Sequence, residues 1–223
     1  LALIFIRDNP ASCDLLPDGE NPGESENSPR ELVSLGLAEA RRSPVFWIYS
    51  LSLGMHALFG TALTFHVVAI FSESGLSRDV ALGYFFPVAV FSTSANLLAS
   101  WFVDNSKLKP FLILMLGSFI LGSFGFINLD AGSGYWILAA GFGMGGGLWG
   151  VVSNLAFIRF FGPGHVGEVS GFSTSISVFA SALGPFVFSL AVDVLGSYVA
   201  AAKICLLALF LLLFLALIIP QRE

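Results

Sequence analysis

Beyond residue 44 the chain is written in long apolar blocks separated by short polar intervals. The blocks run to roughly 20 residues and do not alternate at period 2 or 3.6, which is the pattern of helices that cross hydrocarbon. Six of them occupy about 46 to 71, 80 to 103, 111 to 128, 135 to 158, 169 to 192 and 198 to 219. An all-α membrane protein of six transmembrane helices is therefore expected. The six divide into two triplets, because the second block of each ends in an acid, Trp101-Phe-Val-Asp104 and Leu190-Ala-Val-Asp193. The two acids fall on opposite sides of the membrane, as an inverted 3+3 repeat would leave them. The third block of each triplet has almost no polar atoms, so residues 111 to 128 and 204 to 219 are expected to face lipid outside the bundle.

The first 44 residues are different. Leu1 to Ile6 is an apolar run with no basic n-region and no small-residue cleavage site, and it is expected to be the end of a preceding transmembrane helix. Residues 7 to 44 contain Pro10, Pro17, Pro22, Pro29 and Pro44 among acids, Asn, Ser and Gly. That composition offers too little apolar area to offset the entropy of ordering. A largely disordered cytoplasmic linker is expected over 7–44, with a short amphipathic helix at Arg30 to Arg42 and a six-helix domain over 45–223.

Composition reinforces the pattern: 56% of residues are hydrophobic and 11% charged, with mean hydropathy +0.85. No water-facing surface of this size has that balance. The net charge of -5 is local, since eight acids (Asp8, Asp14, Asp18, Glu20, Glu24, Glu26, Glu31, Glu39) crowd the first 39 residues. No basic run with interleaved aromatics is present, which argues against nucleic-acid binding. Cys13 and Cys205 make neither a disulfide framework nor a metal site. Lys and Arg fix an orientation: one side collects Arg7, Arg30, Arg41, Arg42, Lys107, Lys109, Arg159 and Arg222, the other only Arg78 and Lys203. By the positive-inside rule both termini are cytoplasmic, in a multi-pass protein of an inner or plasma membrane. Trp47, Trp101, Tyr135, Trp136 and Tyr198 lie at block ends, where interfacial anchors belong.

Ionisable and polar groups inside the blocks are the candidates for chemistry, because they are costly in a bilayer. His56 falls about 15 Å into its helix at 1.5 Å per residue, near the bilayer centre, where an imidazole can bond a solute or take a co-transported proton. His66 lies ten residues on, at the outer interface and roughly 80° away around the axis, a candidate gate or proton-entry group. Both also have plain readings, as a packing histidine and as a solvated interfacial one. Gly141-Phe-Gly-Met-Gly-Gly146 satisfies G-x-G-x-x-G, but no strand precedes it and it lies inside an apolar block. The same glycines read as small-xxx-small pairs, Gly143 with Gly147 and Gly146 with Gly150, which let helices approach closely. Trp149 and Ser153 share one face of that block, and Gly146, Gly150 and Asn154 another. Trp149 and Asn154, Tyr84 and Asn96, and Ser173, Thr174, Ser175 and Ser177 are cavity-lining or interhelical candidates. Lys203 snorkels outward. No triad, paired carboxylates or metal-spaced His/Cys set appears, so an enzyme is not indicated, nor a cofactor or metal.

Several segments resemble the C-terminal half of a major facilitator superfamily transporter, most closely its monocarboxylate and organic-anion branch. Arg7-Asp-Asn-Pro10 through Leu15-Leu-Pro-Asp-Gly19 resembles the exit from the sixth helix, and Ser43-Pro-Val-Phe-Trp47 the entry to the seventh. Thr64-Phe-His66 and Glu73-Ser-Gly75 resemble the end of that helix. Trp101-Phe-Val-Asp104 with Lys107 and Lys109 resembles the superfamily's loop motif, with Arg159 on the same side; Gly184-Pro185 to Asp193 resembles the eleventh-helix exit. The resemblance implies half of a twelve-helix secondary transporter, a symporter or antiporter. It would move a small organic solute, a carboxylate in that branch, with a coupled proton, by alternating access against an N-terminal half missing from this chain. Relatives often place a cation in the eighth helix, and this one has none there. The alternative is a non-transporting scaffold or a truncated subunit.

Overall fold

A computed structural model describes residues 34–221. The expected tail helix at 1–6, most of the linker, and Arg7, Cys13, Arg30 and Arg222 lie outside the described residues. Among the described residues the fold is helical throughout. A single turn, α1 (Leu37–Ala40), precedes α2 (Pro44–Glu73), α3 (Arg78–Gly83), α4 (Phe85–Val103), α5 (Lys109–Ile127), α6 (Ser133–Phe161), α7 (Val166–Leu195) and α8 (Tyr198–Ile218). With α3 and α4 taken together, six spans are long and apolar enough to cross a bilayer. Each lies within a few residues of its apolar block.

Local chemistry sets the ends. Pro44 and Pro110 stand in the first turns of α2 and α5, where a missing N–H costs nothing. Gly196, at φ 75°, closes α7 in the left-handed conformation that glycine adopts without penalty. The second span is broken at Tyr84, one turn before Pro87. Proline there lacks the N–H that would bond the Gly83 carbonyl. Of the amphipathic helix expected at 30–42, the described part is the single turn α1, docked by Leu37 N–H donating to Glu168 Oε1 at 3.1 Å.

Both described ends lie at one end of the bundle, here called proximal. Leu35 N–H donates to the Phe161 carbonyl at 2.8 Å, and the Tyr49 hydroxyl to Gln221 at 2.9 Å. Cations cap helix C-termini at this end: Arg159 donates to the Val103 and Ser106 carbonyls, both at 2.8 Å, and Lys109 to the Leu217 and Ile219 carbonyls at 2.9 and 3.2 Å. Such contacts satisfy carbonyls that the helix itself leaves unbonded. Asp104 and Lys107 flank the Arg159 contacts and are exposed.

The core is built by pairs of helices brought together at glycine. Helix α6 is clasped between α4 and α5. A Cβ at Gly141 would overlap the Gly122 backbone, one at Gly122 would stand 2.6 Å from the Phe142 ring, and one at Gly143 would stand 2.8 Å from the Val88 carbonyl. The glycine run is thus a packing device, reading toward α5 at Gly141 and Gly145 and toward α4 at Gly143, Gly147 and Gly150. Helices α2 and α7 close on each other at Gly184, whose Cβ would lie 3.0 Å from the Leu58 carbonyl carbon.

The lipid-facing expectation divides. In α8, residues Ile204, Leu207, Leu211, Phe214 and Ile218 form an exposed apolar stripe. Helix α5 does not follow. It has the largest buried share of any span, 61% of its apolar window against 11% for α3–α4 and 17% for α7. Met115, Leu116, Phe119 and Phe126 are enclosed, and only a strip including Leu114, Leu121 and Phe124 is exposed. An apolar side chain suits a helix neighbour as well as a lipid tail, so hydropathy cannot separate the two surroundings.

Candidate functional site

Two cavities are stacked along the bundle. The distal one, about 460 Å³, lies between α2, α3–α4 and α6 and is lined by His56, Gly60, Thr61, Thr64, Tyr84, Ser92, Phe142 and Gly146 together with apolar neighbours. The proximal one, about 390 Å³, lies between α2, α6 and α7 and is lined by Leu53, Trp149, Ser153, Asn154, Phe157, Ser170, Ser173, Thr174 and Ser177 with Val166. Along α2 the lining changes from proximal to distal between Leu53 and His56, and along α6 between Trp149 and Gly146. His56 and Trp149 therefore form the waist.

The waist is aromatic. The His56 ring stacks on Phe119 at 4.8 Å with planes 17° apart, and meets Trp149 at 5.2 Å. Its Nδ1 is buried without a partner among the described residues, and a Cβ at Gly60 would lie 3.8 Å from it. The cavity-lining Gly60 and Gly146 face the Cε1–Nδ1 edge of the ring, and Nε2, which has no hydrogen-bond partner among the described residues and is not enclosed as Nδ1 is, is the accessible ring nitrogen. Gly146 clears the space opposite, since a Cβ there would meet only Ser92 Oγ at 3.7 Å and His56 Cε1 at 3.9 Å. The Tyr84 hydroxyl borders the same cavity, buried and equally unpartnered, its ring held by Phe71 at 5.7 Å and Tyr135 at 6.3 Å. Trp149 Nε1 and Ser173 Oγ are in the same condition beside the proximal cavity. No charged side chain is among the described residues that line either cavity.

His66 lies outside both linings and bonds across helices. Its Nε2 donates to the Pro185 carbonyl at 3.1 Å, which leaves Nδ1 to accept from the Tyr198 hydroxyl at 3.3 Å. Glu73 accepts from the Ser197 hydroxyl and from Tyr198 N–H, the latter at 3.2 Å. Three helices, α2, α7 and α8, are thereby tied together at the distal end, next to the Gly184–Pro185 step. Thr61 and Ser181 bond hydroxyl to hydroxyl at 2.9 Å one turn deeper.

Among the expected residues, His56, Tyr84, Trp149 and Asn154 line cavities, and Gly184 and Pro185 join the α2–α7 contact. Ser175 does not line the proximal cavity: it is exposed and back-bonds to the Gly171 carbonyl at 3.0 Å, while Ser173, Thr174 and Ser177 do line it. Asn96 donates to the Gly147 carbonyl at 3.0 Å as an interhelical tie. Phe119, Thr61, Thr64 and Ser92 are additions. Gly60 and Thr64 stand four and eight residues beyond His56, on its face, so the spacing held that signal. Nothing in the apolar block of α5 singles out Phe119.

Residues 13–185 match the family model of the Major Facilitator Superfamily. The chain belongs to the Major Facilitator Superfamily. This membership makes it a transporter-type membrane protein and not an enzyme. No curated protein matches the sequence. In this Major Facilitator Superfamily protein the two cavities lie on four of the six described spans and are lined in part by polar side chains of those spans.

Proposed function

We propose that this domain is one half of a secondary active transporter that moves a small organic solute by alternating access, with His56 and Trp149 at the point where the two cavities meet. The observation that carries the reading is the pair of cavities stacked on shared helices and parted by a single aromatic layer. A solute passing between them needs only the waist and one end to rearrange at a time. Helices α4 and α7 present broad apolar faces, with Phe86, Trp101 and Val194 each 70% exposed or more, and a second six-helix half covers them in the working transporter. The packing supports an inverted 3+3 arrangement. The first span of each triplet packs on the second span of the other, α2 on α7 and α6 on α4, and the third spans α5 and α8 pack together. The excess of Lys and Arg supports a cytoplasmic proximal end. We assign His56 to hydrogen bonding of the solute, since no carboxylate stands among the residues lining its cavity to accompany a proton.

Uptake into proteoliposomes of the purified transporter, across a panel of radiolabelled neutral and anionic solutes, tests this. Saturable uptake of at least one solute is expected, and Gly146→Leu, which fills the space before His56, should abolish it while the protein stays inserted. Uptake no greater than in protein-free vesicles across the panel would contradict the reading.

A further inference from the structure

The lining of the distal cavity goes further than its position. Its polar groups are an imidazole edge and the hydroxyls of Thr61, Thr64 and Ser92, set among Phe65, Phe85, Val88 and Phe142. Two more polar atoms, His56 Nδ1 and the Tyr84 hydroxyl, are buried at its border without partners among the described residues. Buried polar groups are nearly always paired, so two orphans beside one cavity mark a site that a ligand completes. The described cations stand at the span ends, Arg78 and Lys203 distally and Arg41, Arg42, Lys107, Lys109 and Arg159 proximally. A carboxylate at the depth of His56 would be desolvated with no counter-charge from this domain, which is costly. A hydroxyl or amide on an apolar frame meets what is there.

We propose that the distal cavity binds the uncharged, hydroxyl-bearing part of a solute with an apolar or aromatic face, against His56, Thr64 and Ser92, with Gly60 and Gly146 keeping the His56 edge open. This rests on the transport reading above, and it departs from the carboxylate that the family branch suggests. Tyr84 supplies a second hydroxyl when the solute seats against the break between α3 and α4. Gly146 sets the depth of the site: a side chain the size of leucine there would occupy the space in front of the imidazole.

Charge-selective thiol labelling of the intact transporter tests the inference without needing the natural solute. Gly146→Cys and Thr64→Cys are reacted with hydroxyethyl, sulfonatoethyl and trimethylammonioethyl methanethiosulfonate, neutral, anionic and cationic probes of similar size. Rates are referred to Ser74→Cys in the exposed distal loop, and labelling of the unaltered chain is subtracted. A Cβ at Gly146 makes only ordinary contacts, and Thr64 already carries a side chain, so the two positions do not share one route to misfolding. At both, the neutral probe is expected to outpace the anionic one by about tenfold or more relative to Ser74→Cys, because the anion must be stripped of water without a partner. Equal relative rates for the anion would overturn the uncharged site and leave the uptake test untouched. No reaction of the neutral probe at either position would overturn it too, since the cavity would then admit no solute. Absence of saturable uptake would instead remove the transport reading on which it rests.

Discussion

At the scale of single residues, His56 illustrates how one side chain can be placed by sequence and understood only from its neighbours. Its depth follows from counting 1.5 Å per residue, but its role depends on Phe119 and Trp149, which enclose the ring, and on Gly60, whose missing side chain leaves the Cε1–Nδ1 edge uncrowded. Nε2 is the accessible ring nitrogen, and glutamine carries an amide nitrogen near that position where asparagine does not. His56→Gln should therefore keep most of the uptake, whereas His56→Asn and His56→Ala should lose about tenfold, the scale of one buried hydrogen bond. If His56 only hydrogen-bonds the solute, the pH profile of uptake is the same for His56→Gln as for the unaltered protein. A profile shifted in that variant would return the residue to proton carriage. His66 shows the converse case. Its position at the span end suggested a gate, and the structure ties it to Pro185 and Tyr198 on two other helices, partners that no local pattern announces because they lie more than a hundred residues away.

At the scale of elements, the six spans were legible because length and hydropathy report the solvent directly. Their environment was not. The blocks that became α5 and α8 look alike in composition, yet α5 is enclosed on most of its circumference and α8 turns a wide stripe outward. The clue lay in small residues rather than hydropathy, since Ser118, Gly122 and Gly125 recur at helical spacing along α5 and face α6. This gives a paired prediction. A Cβ at Gly125 would overlap the backbone of Leu138, while Gly117, on the open side of the same helix, has nothing within 4 Å. Gly125→Leu should thus destabilise the domain by about 3 kcal/mol or more, as overpacking into a backbone does, and Gly117→Leu by less than about 1 kcal/mol. Thermal unfolding midpoints in detergent compare them. Equal midpoints would mean that α5 and α6 are not pressed together at these glycines.

At the scale of the whole molecule, the central claim is that the two cavities belong to one pathway and open in turn. Thr64 lines the distal cavity and Thr174 the proximal one, on α2 and α7, so one cysteine in each reports both ends of the same protein. The most direct measurement uses the double variant Thr64→Cys with Thr174→Cys in cells and in inverted vesicles. A bulky impermeant maleimide is added from one side, and the reaction rate at the other cysteine is then read from the opposite side. The account predicts that Thr64→Cys reacts from outside and Thr174→Cys from the cytoplasm. It further predicts that wedging one cavity open slows the other by about tenfold, the effect of moving most molecules into one state of a two-state equilibrium. Rates at the two cysteines that are independent of each other would contradict alternating access and leave a six-helix bundle with two unrelated clefts.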